Sequence, residues 1–504
     1  MKELIIYFTS DVHGYLYPTD YRDNTPKKLG YFNMIEAFQK DGNTLIIDGG
    51  DTIQGSPLAT YLQANRRTPH PIAQVLNLGD YDYIVLGNHD FNYGYDYLIQ
   101  YLQDSNARCL TANVANIKEP GLIHPYAIKT LENGLRIGIL GITTDFINYW
   151  EQPRHLVNFR IDQTMETIQQ YHDLIKAQCD IFIGVYHGGF ECDRSTGQML
   201  SDSSENISCR ICQHFDFDIL LTGHQHTAVA DEILYGTHIV QTPPNGSQYA
   251  LLRVQYSDRL MSVSSQLHTA PIYTQLAVPH EITQLEEEVQ TWLDQPVGWL
   301  NMELLPSDHL TMAYNGHPLA NFFNHVQLTV SGADISCTSF ANSIKGFNKR
   351  VTIRDIVSTY VYPNTLVVLE VTGEILKQAL ERCASYFDLD HTGQVQIAKT
   401  FLKPKLEHYN YDYFSGIDYV FDLRQPVGSR VSSIVFKGAE VQPEQKFKLA
   451  MNNYRASGVG GYEFYRSAPL IKDFQTDMSE LIINYFLENP NVTVDHSAHY
   501  TVVS

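Results

Sequence analysis

Five short, nearly continuous apolar runs in the first half of this chain each stop abruptly and hand over to a cluster of acidic, amide or imidazole side chains. Leu4-Ile5-Ile6-Tyr7-Phe8 leads to Asp11-Val12-His13, and Thr44-Leu45-Ile46-Ile47 leads to Gly50-Asp51. Tyr83-Ile84-Val85-Leu86 leads to Gly87-Asn88-His89-Asp90-Phe91-Asn92. Ile181 to Val185 leads to His187-Gly188, and Ile219-Leu220-Leu221 leads to Gly223-His224-Gln225-His226. Runs of this kind suit strands buried on both faces. Polar residues just beyond their carboxyl ends are where an open α/β sheet delivers its chemistry.

The donor types narrow that chemistry. Asp11 and His13 stand two apart after a strand, as do His224 and His226, so each pair can point into one cavity. Asp51 can offer one oxygen to each of two cations, the arrangement that holds metals about 3.5–4 Å apart. Asn88 adds a neutral amide oxygen and His187 an imidazole. Such a mixed nitrogen and oxygen set favours Mn, Zn, Fe or Co over Mg or Ca, so the reading is a site for two divalent transition-metal ions whose identity stays open.

Composition sets the outer limits. The chain has 504 residues and a formal charge of −21. That acidity argues against a nucleic-acid polymer as ligand, because few basic groups are available to displace counterions. No run of about 18 apolar residues suggests a membrane span. The first strand begins almost at Met1, which leads us to expect a cytoplasmic protein, or an exported one if a leader was removed. Seven scattered Cys fit reduced thiols better than a disulfide framework, and Cys209-Arg210-Ile211-Cys212 reads as two buried or idle thiols.

Strand and helix signals alternate to about residue 250, with Thr164 to Gln178 as a covering helix. Ile282, Leu285, Val289 and Trp292 mark one face of a later helix whose other face, Glu286 to Glu288, reads as solvated. We expect a catalytic domain over residues 1–273, a connecting helix and linker over 274–300, and an α+β domain over 301–504. In the last, Thr365 to Val371 reads as a strand followed by a helix to Ala384, and His317 to Gln327 as a helix.

The ordered set Asp-x-His, Gly-Asp, Gly-Asn-His, His and Gly-His-x-His resembles the signature of the calcineurin-like metallophosphoesterases. The resemblance implies a fold of class α/β, with an N-terminal calcineurin-like metallophosphoesterase β-sandwich flanked by helices. It also implies that one metal takes Asp11, His13, Asp51 and His226 and the other takes Asp51, Asn88, His187 and His224. Water activated between them would attack phosphorus in line. His89 matches the family's phosphate-contacting histidine. Asn92 stands where relatives often carry an Asp that orients that ring, so it is a candidate catalytic partner.

The similarity continues into the second half, which is similar to a C-terminal α+β 5′-nucleotidase-type substrate-binding domain. There two aromatic rings clamp a base. Val361-Tyr362-Pro363-Asn364-Thr365 matches the first ring's segment and Asn452-Asn453-Tyr454-Arg455-Ala456-Ser457-Gly458 the second. Asn364 belongs to the same candidate set, and Asn342 and Lys345 lie where the family has a substrate loop. These segments, with Gly50 to Leu58, look most like the bacterial 2′,3′-cyclic-nucleotide 2′-phosphodiesterase/3′-nucleotidase branch. The partner implied is a small-molecule nucleotide, with neither a nucleic-acid polymer nor a membrane, and the oligomeric state is left open. A 5′-nucleotidase and a catalytically silent nucleotide-binding protein are the alternatives. The resemblance also implies a hinge near Ile282 to Leu293.

Overall fold

Along the first strand, Leu4, Ile6 and Phe8 point to one side and Ile5 and Tyr7 to the other, the period of two that a pleated strand imposes. In a computed structural model of the chain, the first set meets Ile137, Ile139, Ile181, Ile183, Ile219 and Leu221 of a second sheet in one buried cluster. The structure describes residues 2–504 apart from 24, 152, 200–204, 258–259, 274, 363 and 403–405. The chain divides into two compact units, Met1–Val289 and Gln290–Ser504.

The first unit is a β-sandwich. Its seven-stranded sheet runs Leu260–His268, Tyr249–Ser257, Lys2–Thr9, Thr44–Asp48, Tyr83–Ile84, Arg108–Leu110, Ile123–His124. Its six-stranded sheet runs Val229–Leu234, Thr237–Gln241, Ile219–Thr222, Ile181–His187, Arg136–Thr143, Tyr126–Thr130. The central strands of both sheets pair in parallel, so their carboxyl ends lie along one edge of each sheet. Leu140, Ile142, Phe182, Tyr186 and Leu220 turn to the opposite face of the second sheet. There they pack with Ile168 and Ile175 of helix Thr164–Lys176 and Ile211 of helix Ser208–His214. Burying side chains of this size contributes about 1.5–3 kcal/mol each.

Two expectations need correction. Cys192 and Cys209 form a disulfide across 17 residues, so Cys209 is not a free thiol, whereas Cys212 is the buried thiol expected. Only the fold brings Cys192 within reach, since no spacing rule links the two positions. The acidic face of helix His280–Leu293 is not simply solvated. Tyr21 donates to Glu286 at 3.1 Å and Tyr61 to Glu288 at 3.2 Å, and Arg67 pairs with Glu288, so this face packs back onto the first unit.

The second unit holds a five-stranded sheet in the order Asp412–Ser415, Ile335–Ser339, Lys446–Asn452, Thr365–Thr372, Leu470–Asp477. Helix Pro318–Ser331 covers it with Leu319, Phe322, Phe323 and Val326. A four-stranded, a three-stranded and a two-stranded sheet complete an α+β arrangement among the described residues. Arg455 lies at its centre, 1% exposed, with Nε 2.7 Å from Asp412 Oδ2 and its guanidinium 4.0 Å from the Tyr462 ring centroid. Its Nη1 donates to Val459 O and its Nη2 to Tyr409 O. Among the described residues no helix is long and apolar enough to cross a membrane.

Breaking a buried ion pair from one side strands the other charge, at a cost of about 3–5 kcal/mol. Arg455→Met is therefore expected to lower stability by about that much, and adding Asp412→Leu is expected to recover most of it, as read by urea unfolding. His70 gives a pH signature. Burial holds its imidazole down to about 3, against a partial upward pull from Asp104, and its ring packs edge-on to Tyr97 and Tyr101. Below its ordinary 6.5 the unfolded chain takes up a proton that the folded chain refuses. Stability should thus fall as pH drops from 6.5 toward 3, and His70→Phe should flatten that slope by up to about 1.4 kcal/mol per pH unit in pH-dependent melting.

Candidate functional site

The parallel strands end in backbone that only a few residue types tolerate. Among the described residues eleven non-glycine positions have positive φ, and five of them are candidate ligands: Asp11 (57°), His13 (55°), Asp51 (55°), His224 (72°) and His226 (57°). A left-handed turn at a strand end swings successive polar side chains to one side, and it is stored where the surroundings over-determine it. Here they do. Asp11 N donates to Gly50 O at 2.8 Å, His13 N to Asp51 O at 2.9 Å, and Asn245 N to Asp11 O at 2.8 Å. Gly87 and Gly223 are small because ligands pass close by. A Cβ on Gly87 would lie 2.2 Å from Asp51 Oδ1, and one on Gly223 2.7 Å from Asp11 Oδ2.

The result is two groups of ligand atoms. Asp11, His13 and His226 form one, and Asp51, His187 and His224 the other, with the ligand atoms of each within 4.8 Å of one another. Asn88 joins the second group through Oδ1, 2.8 Å from His224 Nδ1. His89 ring lies 5.5 Å from that of His13, between centroids, and its backbone N–H donates to Asp51 Oδ1 at 2.8 Å.

The donor and acceptor states of these atoms are a test of whether they suit cations. His13 Nδ1 donates to Gln54 O and His187 Nδ1 to Gly49 O, both at 2.8 Å, since a carbonyl can only accept. Their Nε2 atoms then carry the lone pair whenever the ring is deprotonated. His13 Nε2 faces His226 Nε2 at 3.0 Å, and His187 Nε2 faces Asp51 Oδ2 at 3.2 Å, the latter two atoms buried without a hydrogen-bond partner. His224 Nε2 donates to Glu205 Oε1 at 3.0 Å, which turns the Nδ1 lone pair toward Asn88 Oδ1. Lone pairs that face one another at this range call for positive charge between them, so the residues fit divalent cations.

The proton equilibria tell the same story. Burial would raise the Asp11 carboxyl, but its hydrogen bond to His226 and the His187 charge hold it at about 2. Burial would lower His187, yet the negative charges of Asp51 and Asp11 push it up to about 10. Asp51 is held well below the usual carboxylate range by His187 and His89 despite burial. His13 falls to about 4 through burial and the neighbouring His226. A cation and a proton compete for the same lone pairs.

Two supports escaped sequence reasoning. Asp90, fully buried, accepts from the backbone N–H of Thr52, Ile53, Asp51 and Gly87 at 2.8–3.1 Å, so one carboxylate clamps the loop of Asp51 to the loop of Asn88. Its place directly after His89 was the only clue. Glu205 orients His224 from 19 residues earlier in the chain, its backbone carbonyl held by Thr144 Oγ1 at 3.0 Å and Tyr186 OH at 3.2 Å. No sequence signal marks it.

In the second unit, register sets the candidate rings. Leu366 pairs with Asn452 in antiparallel strands, so the segments of Tyr362 and Tyr454 leave the sheet at the same end. Asn453 Oδ1 accepts from Thr365 N at 3.2 Å and Tyr454 N at 2.9 Å, tying them together. Tyr362 and Tyr454 are 42% and 37% exposed. A third ring, Tyr409, stands edge-on to both, 6.2 Å from Tyr362 and 6.5 Å from Tyr454 between centroids. Asn364 carries backbone bonds, its N–H donating to Tyr362 O and its carbonyl accepting from Met478 N. Pro363 lies outside the described residues. Asn342 spends its amide on the protein: Oδ1 accepts from His408 N at 3.1 Å and Nδ2 donates to Leu406 O at 2.9 Å. Lys345 pairs with Asp355 at 3.0 Å and remains half-exposed.

Comparison with known proteins gives this arrangement its class. Residues 4–228 match the calcineurin-like phosphoesterase family and residues 305–467 match the 5′-nucleotidase C-terminal domain. A Staphylococcus aureus protein, solved with alpha-ketoglutarate under a provisional 5′-nucleotidase designation, is 32% identical with a TM-score of 0.80, the match covering all of both chains. A 2′,3′-cyclic-nucleotide 2′-phosphodiesterase/3′-nucleotidase of Yersinia enterocolitica is 25% identical over 90% of this chain and 80% of its own. The snake venom 5′-nucleotidase of Naja atra is 24% identical over 91% of each. The chain belongs to the two-domain 5′-nucleotidase family of calcineurin-like phosphoesterases and is a metal-dependent phosphoesterase.

Asp90→Asn puts an amide N–H₂ among four backbone donors. Each donor left without an acceptor costs about 1–3 kcal/mol, so this variant should melt lower and retain less metal after dialysis, measured by calorimetry and elemental analysis on one sample.

Proposed function

We propose that this enzyme hydrolyses phosphoesters of single nucleotides, with 2′,3′-cyclic nucleotides and 3′-nucleotides as its preferred substrates. The observation that carries the reaction class is the pair of ligand groups, with Asp51 Oδ2 and His187 Nε2 buried and facing each other. In this reading one cation is held by Asp11, His13, Asp51 and His226 and the other by Asp51, Asn88, His187 and His224. Mixed nitrogen and oxygen donors favour Mn, Zn, Fe or Co there. Bound divalent ions supply an activated water and a counter-charge for the phosphoryl oxygens. His89 contacts the phosphoryl group or the leaving oxygen from beside His13.

Tyr362, Tyr454 and the intervening Tyr409 support a nucleobase as the rest of the substrate, because exposed phenolic faces accept any base by stacking. Asn364, Asn342 and Lys345 belong to that side, with Asn342 acting through the loop it ties. The preference for cyclic and 3′ esters draws on the Tyr362 and Tyr454 segments and on the Yersinia relative. The 5′-nucleotidase alternative draws on the Staphylococcus and Naja proteins. The net charge of −21 supports a single nucleotide rather than a polymer. The Cys192–Cys209 disulfide favours an oxidising compartment over the cytoplasm expected at first.

Metal-reconstituted enzyme given 2′,3′-cyclic AMP, 3′-AMP and 5′-AMP side by side should turn over the first two faster. Faster release of phosphate from 5′-AMP selects the alternative. Asp51→Ala should abolish turnover while nucleotide binding persists. Tyr454→Ala should raise KM about 10–100-fold, the equivalent of about 1–3 kcal/mol of stacking, with a smaller change in kcat.

A further inference from the structure

His89 does not stand alone beside the metal ligands. It opens a 3-10 turn, His89–Phe91, that places Asn92 against its ring, with His89 Nδ1 2.7 Å from Asn92 Oδ1. On its other side Asn92 Nδ2 donates to Glu151 Oε2 at 2.6 Å. The second oxygen of Glu151 lies 2.7 Å from Nδ1 of His155, four positions further along the chain. Glu151 is buried, with 3% of its side chain exposed, and its backbone N–H donates to Ile147 O at 2.9 Å. Four side chains from two distant stretches thus form one hydrogen-bonded line ending at His89.

The polarity of this line follows from what each group can do. A carboxylate only accepts, so Asn92 must turn its N–H₂ toward Glu151 and its carbonyl toward His89. The carbonyl in turn only accepts, so His89 must donate from Nδ1. Nε2 is thereby assigned as the nitrogen that meets substrate. An amide by itself is nearly symmetric in shape and could present either end to the ring. Glu151 removes that ambiguity, and bonds made to an ionised acceptor are shorter and about twice as strong as neutral ones.

We infer that Glu151 is a positioning residue for the phosphoesterase reaction: acting through Asn92, and steadied by His155, it fixes the tautomer and orientation of His89. The turnover consequence rests on the proposed role of His89, whereas the ring consequence does not. A carboxylate that a direct Asp partner would place on the imidazole is held here one residue further away.

The test uses the full chain and four variants, Glu151→Ala, Glu151→Gln, Asn92→Asp and the exchange Asn92→Asp/Glu151→Gln. The ring state of His89 is read by nitrogen NMR on histidine-labelled protein, with the signal assigned through His89→Gln. Kinetics are read with 3′-AMP. Wild type should show a single Nδ1–H tautomer, and Glu151→Ala a mixture. Removing an outer partner of this kind should lower kcat about 10–100-fold in Glu151→Ala while KM changes less than about twofold, and Glu151→Gln should fall between that variant and wild type. Asn92→Asp alone, which sets two carboxylates against each other, should be poor. The exchange returns one carboxylate and one amide to the line and should restore kcat to within about fivefold of wild type, together with the single tautomer.

A wild-type tautomer and kcat in Glu151→Ala would overturn the inference. So would an exchange variant no better than Asn92→Asp. Should Glu151→Ala fail to fold, Glu151→Gln and the exchange decide it by the same readouts. Wild-type enzyme inactive on nucleotides would count against the proposed substrate, and the tautomer readout would still decide the role of Glu151.

Discussion

The metal centre depends on a steric constraint at the ends of parallel strands. Asp11, His13, Asp51, His224 and His226 all occupy the left-handed region, which a side chain with a Cβ enters only at a cost. What holds them there is backbone hydrogen bonding between strand ends, led by the Asp90 carboxylate with four N–H donors. The ligand side chains add to this, Asp11 Oδ1 accepting from His224 N–H and Asp51 Oδ1 from His89 N–H, so the loops are fixed through their main chains and the ligand atoms meet at close range. That is the preorganisation a metal site requires.

This explains how much could be read from the residues and where reading stopped. The central strands were legible because both of their faces are buried, which makes them continuous apolar runs. The ligand set was legible because it sits just past those runs. Asp90 was present within the same motif, but its work is done on backbone N–H groups, which leave no trace in residue type. Glu151 and Glu205 act from loops whose positions are set by tertiary structure alone. The Cys192–Cys209 bond was misread for the same reason, and the Glu286 to Glu288 face was misread because its Tyr and Arg partners lie more than 200 residues away.

The second unit follows a different economy. Its candidate rings need exposure rather than strain, and they obtain it from two neighbouring strands whose register brings Leu366 opposite Asn452. Tyr362 and Tyr454 could be named from their segments. Tyr409 could not, since its segment carries no comparable signal and only the fold stands it edge-on to both.

The buried Arg455 has an effect on the surface beside it. It follows Tyr454 directly, donates its backbone N–H to the Asn452 cap of the short helix Asn453–Ala456, and is anchored by Asp412, Tyr409 and Val459. An outward-facing aromatic is therefore seated by a cation in the interior one residue away. A phenyl or indole ring could occupy the same seat without disturbing the pedestal, whereas removing the cation would unseat whatever ring stands there. Contact chemistry at the rim and rigidity beneath it are thus carried by separate halves of a single dipeptide.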